Sequence, residues 1–265
     1  MNSNFYPKTV IKALSLLFIS MLISAPFIFL REYIKISEQL FFNGFFVLYS
    51  TVIITISYFI NKKRGIKFES DIKINNPKLI PLMISIILLY QIGISKPILY
   101  LINSFNNEIP SLNNPMEMES LIFFIGAIVL SPILEEIIFR RIILKGFLTN
   151  YTPKKAILFS AIIFGVMHGE PIQIINAFII GLFFGWIYYK TKSIGITIAL
   201  HLTANLSVFI LSLLYYKYAD FNTVTIISIY IIPLSLILIL HVTSKLIKSI
   251  TPKLIEKEQI GNWSK

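Results

Sequence analysis

The chain has 265 residues, 55% of them hydrophobic and 14% charged, with a mean hydropathy of +0.76. Soluble domains carry about a quarter charged residues, so a soluble enzyme is excluded and the chain is counted instead in membrane spans of about 20 residues. The net charge of +11 does not point to nucleic acid, because the lysines and arginines sit between apolar runs, and the lack of cysteine excludes disulfides, thiolate zinc sites and cysteine nucleophiles.

Eight stretches run without a charged residue: 13–30, 39–61, 79–95, 120–134, 156–169, 171–189, 193–216 and 221–244. Those at 79, 120 and 156 must extend past Lys96, Glu135 or Lys155 to cross about 30 Å at about 1.5 Å per residue. The first stretch, preceded by Lys8 and Lys12, has the outline of a signal peptide, but Ile23 is large where a small residue is needed and Pro26 follows Ala25 directly. It reads as a retained span. The expectation is an all-α, polytopic transmembrane helix bundle of about eight spans, forming a single membrane domain over residues 1–265.

Orientation follows from lysine and arginine rather than net charge. With the N-terminus inside, 20 of the 24 Lys and Arg fall on the cytoplasmic side, Arg31, Lys35 and Lys217 outside, and Lys96 within a span. The loop from Asn103 to Glu119 has no Lys or Arg and carries Glu108, Glu117 and Glu119. Both termini are therefore expected in the cytoplasm. Aromatic residues agree with the boundaries: Tyr58 and Phe59 precede Lys62, Trp186, Tyr188 and Tyr189 precede Lys190, and Tyr215, Tyr216 and Tyr218 flank Lys217. The segment 251–265 reads as a polar, solvated, partly disordered cytoplasmic tail.

A charge at the centre of a span costs about 2.5–3.5 kcal/mol on insertion scales and needs a partner or a job. In the fourth stretch Glu136 and Arg140, four apart with the acid first, share one helix face as an ion pair. Glu135 points about 100° away and has no local cation. Pro132 removes a backbone donor three residues before it. His168 closes the fifth stretch in the run Phe164-Gly165-Val166-Met167-His168, and His201 lies in the seventh with Asn205 one turn later on its face. His241, with no polar partner near the end of the last span, reads as structural or interfacial.

Thr152 and Pro153 resemble a cap and a first helical residue, which sets the start of the fifth helix. By helical rise Glu135 then lies about 15 Å from the cytoplasmic surface, His168 about 20 Å and His201 about 12 Å. Three helices therefore bring polar groups to one layer. The fifth helix, about 24 Å long to His168, is too short to cross, so the turn at Gly169, Glu170 and Pro171 is expected below the outer surface. The pairs Gly165/Gly169 and Gly181/Gly185 are expected to let helices five and six pack closely.

The ordered motifs Glu135-Glu136-x-x-x-Arg140, Phe164-x-x-x-His168 and His201-x-x-x-Asn205, about 33 residues apart on successive spans, resemble the CAAX protease and bacteriocin-processing family of intramembrane proteases, also called Abi proteins and related to type II CAAX prenyl endopeptidases. Ser131-Pro132 before the acids and Phe139 before Arg140 also resemble that family's first motif. The likeness covers roughly Leu121 to Phe209, and residues 119–210 are expected to form the catalytic core.

This resemblance implies an endopeptidase in which Glu135 and His168 activate a water, His201 and Asn205 bind the oxyanion, and Glu136, Arg140 and Phe164 support them. A metal-free mechanism is favoured. Zinc is the competing reading, with Glu135, His168 and His201 as ligands, although the His-Glu-x-x-His pattern is absent and Asn205 is a poor ligand. Other readings are a noncatalytic scaffold or bacteriocin immunity protein of the same fold, and a proton-coupled transporter, against which the lack of internal symmetry argues. The expected partners are a membrane-associated peptide or protein substrate and the lipid bilayer, with no nucleic acid. The richness in Ile, Asn and Lys hints at an AT-rich bacterial genome and a bacterial plasma membrane.

Overall fold

In a computed structural model, the protein is described over residues 5–66, 72, 77–105, 124–218 and 221–262. The loop acids Glu108, Glu117 and Glu119, and residues 119–123 at the head of the expected core, lie outside the described residues. Each apolar stretch becomes a helix: α1 (Val10–Glu32), α2 (Glu38–Lys63), α3 (Pro77–Ile102, continuing to Phe105), α4 (124–147), α5 (Pro153–Val166), α6 (Pro171–Thr191), α7 (Ile194–Tyr218) and α8 (Phe221–Asn262). No strand occurs among the described residues. The backbone of α8 runs on as helix through 251–262, the segment read from sequence as a tail.

Among the described residues six helices, α1, α2, α3, α6, α7 and α8, are long and apolar enough to cross a membrane; the chain is a multi-pass membrane protein. The other two, α4 and α5, carry the first and second motifs, while the third lies on α7. α5 has 14 residues, about 21 Å by helical rise, as its sequence predicts. α4 carries Glu135, Glu136, Arg140, Arg141 and Lys145, more charge than a simple lipid-facing span bears.

Local chemistry sets the helix ends. The Thr9 and Ser37 side chains accept from the backbone N–H groups of Lys12 and Leu40, capping α1 and α2. Thr152 takes the cap position of α5 with Pro153 in its first turn, although its side chain makes no capping bond. Gly169 corrects the sequence expectation. It meets no neighbour that a Cβ would touch, and its φ of +78° makes it the left-handed residue that ends α5, not a packing glycine.

The chain divides into two compact units. Residues 1–73 and 116–202 form the first, and 74–115 and 203–265 the second, so α7 contributes its beginning to one and its remainder to the other. In the first unit Leu16, Ile53, Ile143, Phe147 and Phe164 form part of a fully buried core. The segment before α1 is tied to it: the Tyr6 N–H donates to Asn61 Oδ1 at 2.8 Å, and Asn61 Nδ2 donates back to the Tyr6 carbonyl at 2.9 Å. α5 and α6 pack closely, a Cβ at Gly181 standing 3.0 Å from the Phe164 ring and one at Gly165 2.9 Å from the Ile174 carbonyl oxygen. In the second unit Gly93 of α3 gives way to Ser235 of α8, whose hydroxyl a Cβ there would overlap.

Candidate active site

α4 changes its winding around the acids. The stretches Phe124–Leu130 and Ile137–Leu144 are π-helical, with an α-helical turn Ser131–Glu136 between them. Pro132, which has no N–H to offer, sits in the first turn of that segment. Such windings are rare and widen the helix by one residue per turn. They bracket both carboxylates. The carbonyl of Phe139, in the second π stretch, accepts from the Ser160 hydroxyl at 3.1 Å, which fastens α4 to α5.

Glu136 is fully buried and holds three groups. Arg140 Nε donates to its Oε2 at 3.0 Å, the pair expected from the four-residue spacing. His201 Nδ1 lies 3.0 Å from its Oε1, and the Thr197 hydroxyl also bonds it. Since a carboxylate only accepts, Nδ1 of His201 carries the proton. Its Nε2 then faces Glu135, whose Oε2 is 3.8 Å away.

Glu135 is held differently. The Ser131 hydroxyl, one turn earlier, donates to its Oε1. Its Oε2 is buried and makes no hydrogen bond among the described residues. A buried acceptor costs about 1–3 kcal/mol when unsatisfied, and this one points toward the imidazole. Two neighbouring carboxylates of one helix thus address opposite nitrogens of one histidine.

Phe164 packs these parts together. Its buried ring lies edge-on to His168 at 4.8 Å, to His201 at 5.9 Å and to Phe139 at 4.9 Å. The Arg140 guanidinium stands over the Phe164 ring at 4.9 Å and over Phe184 at 5.9 Å, so the cation is held by aromatic faces as well as by Glu136. His168 Nδ1 lies 2.8 Å from the Phe164 carbonyl. That oxygen can only accept, so neutral His168 presents an unprotonated Nε2.

The structure therefore brings Glu135, Glu136, Arg140, Phe164 and His201 into direct contact, with His168 joined through Phe164. Asn205 follows one turn after His201 on α7, within the second unit. Among the described residues no group of three His, Asp or Glu side chains is spaced as a metal site. Ser131, noted in the sequence only as part of the first motif, takes part in the site, as do Thr197 and Phe184, which were not singled out. The first two lie four residues before Glu135 and His201, a spacing that places them on the same helix faces; nothing local marks Phe184.

Residues 117–207 match the family described as type II CAAX prenyl endopeptidase Rce1-like. Over 130 residues the chain is 32% identical to the "Putative membrane peptidase YdiL" of Bacillus subtilis, a match covering 48% of this chain and 53% of that protein. The chain thus spans about half the length of the curated relative it matches. No solved structure matches it significantly. The family resemblance carried by the three motifs is borne out by both likenesses.

Proposed function

From an Rce1-like segment at 117–207 that carries the three motifs in order, we propose that this membrane protein is an intramembrane endopeptidase hydrolysing a peptide bond in a membrane-associated peptide or protein. The observation that carries the reading is the approach of both carboxylates to His201, Glu136 at Nδ1 and Glu135 on the side of Nε2. An apolar scaffold has no need of two acids, an arginine and two histidines gathered within its membrane helices.

In this mechanism Glu135 accepts the proton of an attacking water through its unpaired Oε2, and the Nε2 of His168 orients that water. His201, whose Nδ1–H is committed to Glu136, donates from Nε2 when it carries the second proton. As an imidazolium beside two carboxylates it stabilises the tetrahedral oxyanion together with Asn205. The proton held by Glu135 then passes to the leaving amine as the C–N bond breaks. Glu136 and Arg140 fix the orientation of His201 and touch no substrate.

No metal is required by this scheme. Purified protein should keep its activity in a membrane-permeant chelator; activity lost there and restored only by zinc would overturn the metal-free mechanism and leave the peptidase standing. The scaffold reading is tested separately by comparing cell-associated peptides made with the natural chain and with Glu135→Ala at equal expression. Identical peptide profiles would favour a noncatalytic role.

A further inference from the structure

Within the first unit, the residues ahead of α1 form a strap that the proposed chemistry does not use. Phe5 and Pro7 are buried although they precede the first helix. The Tyr6 backbone is bonded in both directions by Asn61 of α2, which is itself fully buried and donates also to the Ser57 carbonyl at 2.9 Å. The Val10 N–H, where α1 begins, donates to the Tyr151 hydroxyl in the α4–α5 connection at 3.4 Å. Between these two anchors the strap meets the end of α4. The Lys145 ammonium stands 5.7 Å over the Phe5 ring, and a Cβ at Gly146 would overlap the Pro7 carbonyl.

Lys145 and Gly146 directly follow the π-helical stretch Ile137–Leu144, and the Lys145 N–H closes that stretch by bonding to the Arg140 carbonyl. A π turn holds one residue more than an α turn. If the stretch rewound as α-helix, the chain beyond it would shift by one position, about 100° around the axis and about 1.5 Å along it. Lys145 or Phe147 would then stand where Gly146 now meets Pro7. Both carry side chains, and the strap's carbonyl leaves no room for one. Nearer its start the stretch is held by the Ser160 bond to the Phe139 carbonyl.

We infer that the strap Phe5–Thr9, held by Asn61 and seated on Gly146, pins α4 in its π-wound register and thereby positions Glu135 and Glu136 against the two nitrogens of His201. Asn61 and Gly146 are positioning residues that touch no substrate. The effect on cleavage rests on the peptidase reading, whereas the effect on the winding of α4 does not.

The test compares the full chain with Gly146→Ala, Asn61→Leu and the double variant. Amide hydrogen exchange is read by mass spectrometry in detergent, and cleavage as the rate, per folded molecule, of releasing a cell-associated peptide that the natural chain yields and Glu135→Ala does not. Each single variant should speed exchange within Ile137–Leu144 while leaving α6 unchanged. Each should also slow release by about 10²-fold, the scale of a misplacement of about 1 Å. A merely structural role would lower folded yield and leave the rate per folded molecule as it was. The double variant should be no slower than the slower single one, since both substitutions release the same pin. Natural exchange in that stretch in both single variants would overturn the inference, as would a natural rate per folded molecule or losses that multiply in the double variant. If these variants do not fold, Phe5→Ala, which alters no spanning helix, is read in the same way. If no released peptide depends on Glu135, the peptidase reading falls, and exchange alone decides whether the strap pins α4.

Discussion

Glu135 and Glu136 are adjacent in sequence yet held in different ways, and substitutions should separate them. Glu136 answers to Arg140, His201 and Thr197 inside the core, so Arg140→Met strands a buried carboxylate at a cost of about 3–5 kcal/mol. Folded yield, read by size-exclusion chromatography in detergent, should fall for Arg140→Met and for Glu136→Gln. Glu135→Gln should instead leave yield intact and eliminate peptide release, because among the described residues its carboxylate takes a hydrogen bond only from the Ser131 hydroxyl, and a Gln oxygen can still accept that bond. Full yield with abolished cleavage for Glu136→Gln would transfer the catalytic role to Glu136. Asn205→Ala, which removes one oxyanion donor, should leave a residual rate about 10²-fold to 10³-fold lower. At this scale the sequence discloses what lies within one helical turn, such as Glu136 with Arg140. The Glu136–His201 bond joins residues 65 apart, and no spacing rule reaches across that distance.

Helices show the same division. Their positions were legible in the uninterrupted apolar runs, because hydrocarbon forces each run to satisfy its own backbone. The change of winding in α4 was not, since apolar residues such as Ile, Phe and Leu suit an α turn as well as a π turn, and only Pro132 hinted at irregularity. The glycine pairs divide as well. Gly165, Gly181 and Gly185 are sites of close approach, whereas Gly169 serves the backbone turn, where a positive φ, not a neighbour, requires glycine. An ordering of stabilities follows. A methyl at Gly165 would stand 2.9 Å from the Ile174 carbonyl oxygen, a backbone atom that cannot step aside, so Gly165→Ala should cost about 1–3 kcal/mol by overpacking. At Gly185 the nearest atom is an Ile157 methyl at 3.2 Å, which can rotate away, so Gly185→Ala should cost under about 1 kcal/mol. Thermal melting in detergent should rank Gly165→Ala clearly below Gly185→Ala; the reverse order would refute this account of α5–α6 packing.

For the whole molecule the open question is orientation, and charge supplies the expectation. Among the described residues six helices satisfy the length and hydropathy of a span. Reaching an even count with both termini in the cytoplasm requires α4 and α5 to traverse or re-enter together, as a pair whose short connection from Leu148 to Thr152 stays on one side. That connection is flanked by Lys145 and by Lys154 and Lys155, with Arg140 and Arg141 just before, so the positive-inside rule puts it in the cytoplasm. The loop joining α3 to α4, outside the described residues, has acids and no base from Asn103 to Glu119 and belongs on the far side. Reporter fusions after Asn107 and after Lys192 should therefore give opposite signals, external for the first and cytoplasmic for the second. Equal signals would refute the arrangement and, with it, the depth argument for the site. By helical rise Glu135 and His201 stand about 12–15 Å from the cytoplasmic surface, so water and a flexible substrate segment have the shorter path from that side. A substrate anchored by a lipid or an apolar helix would present its bond there by proximity. Moving the scissile bond of such a substrate to the external face should abolish cleavage while leaving the anchor bound.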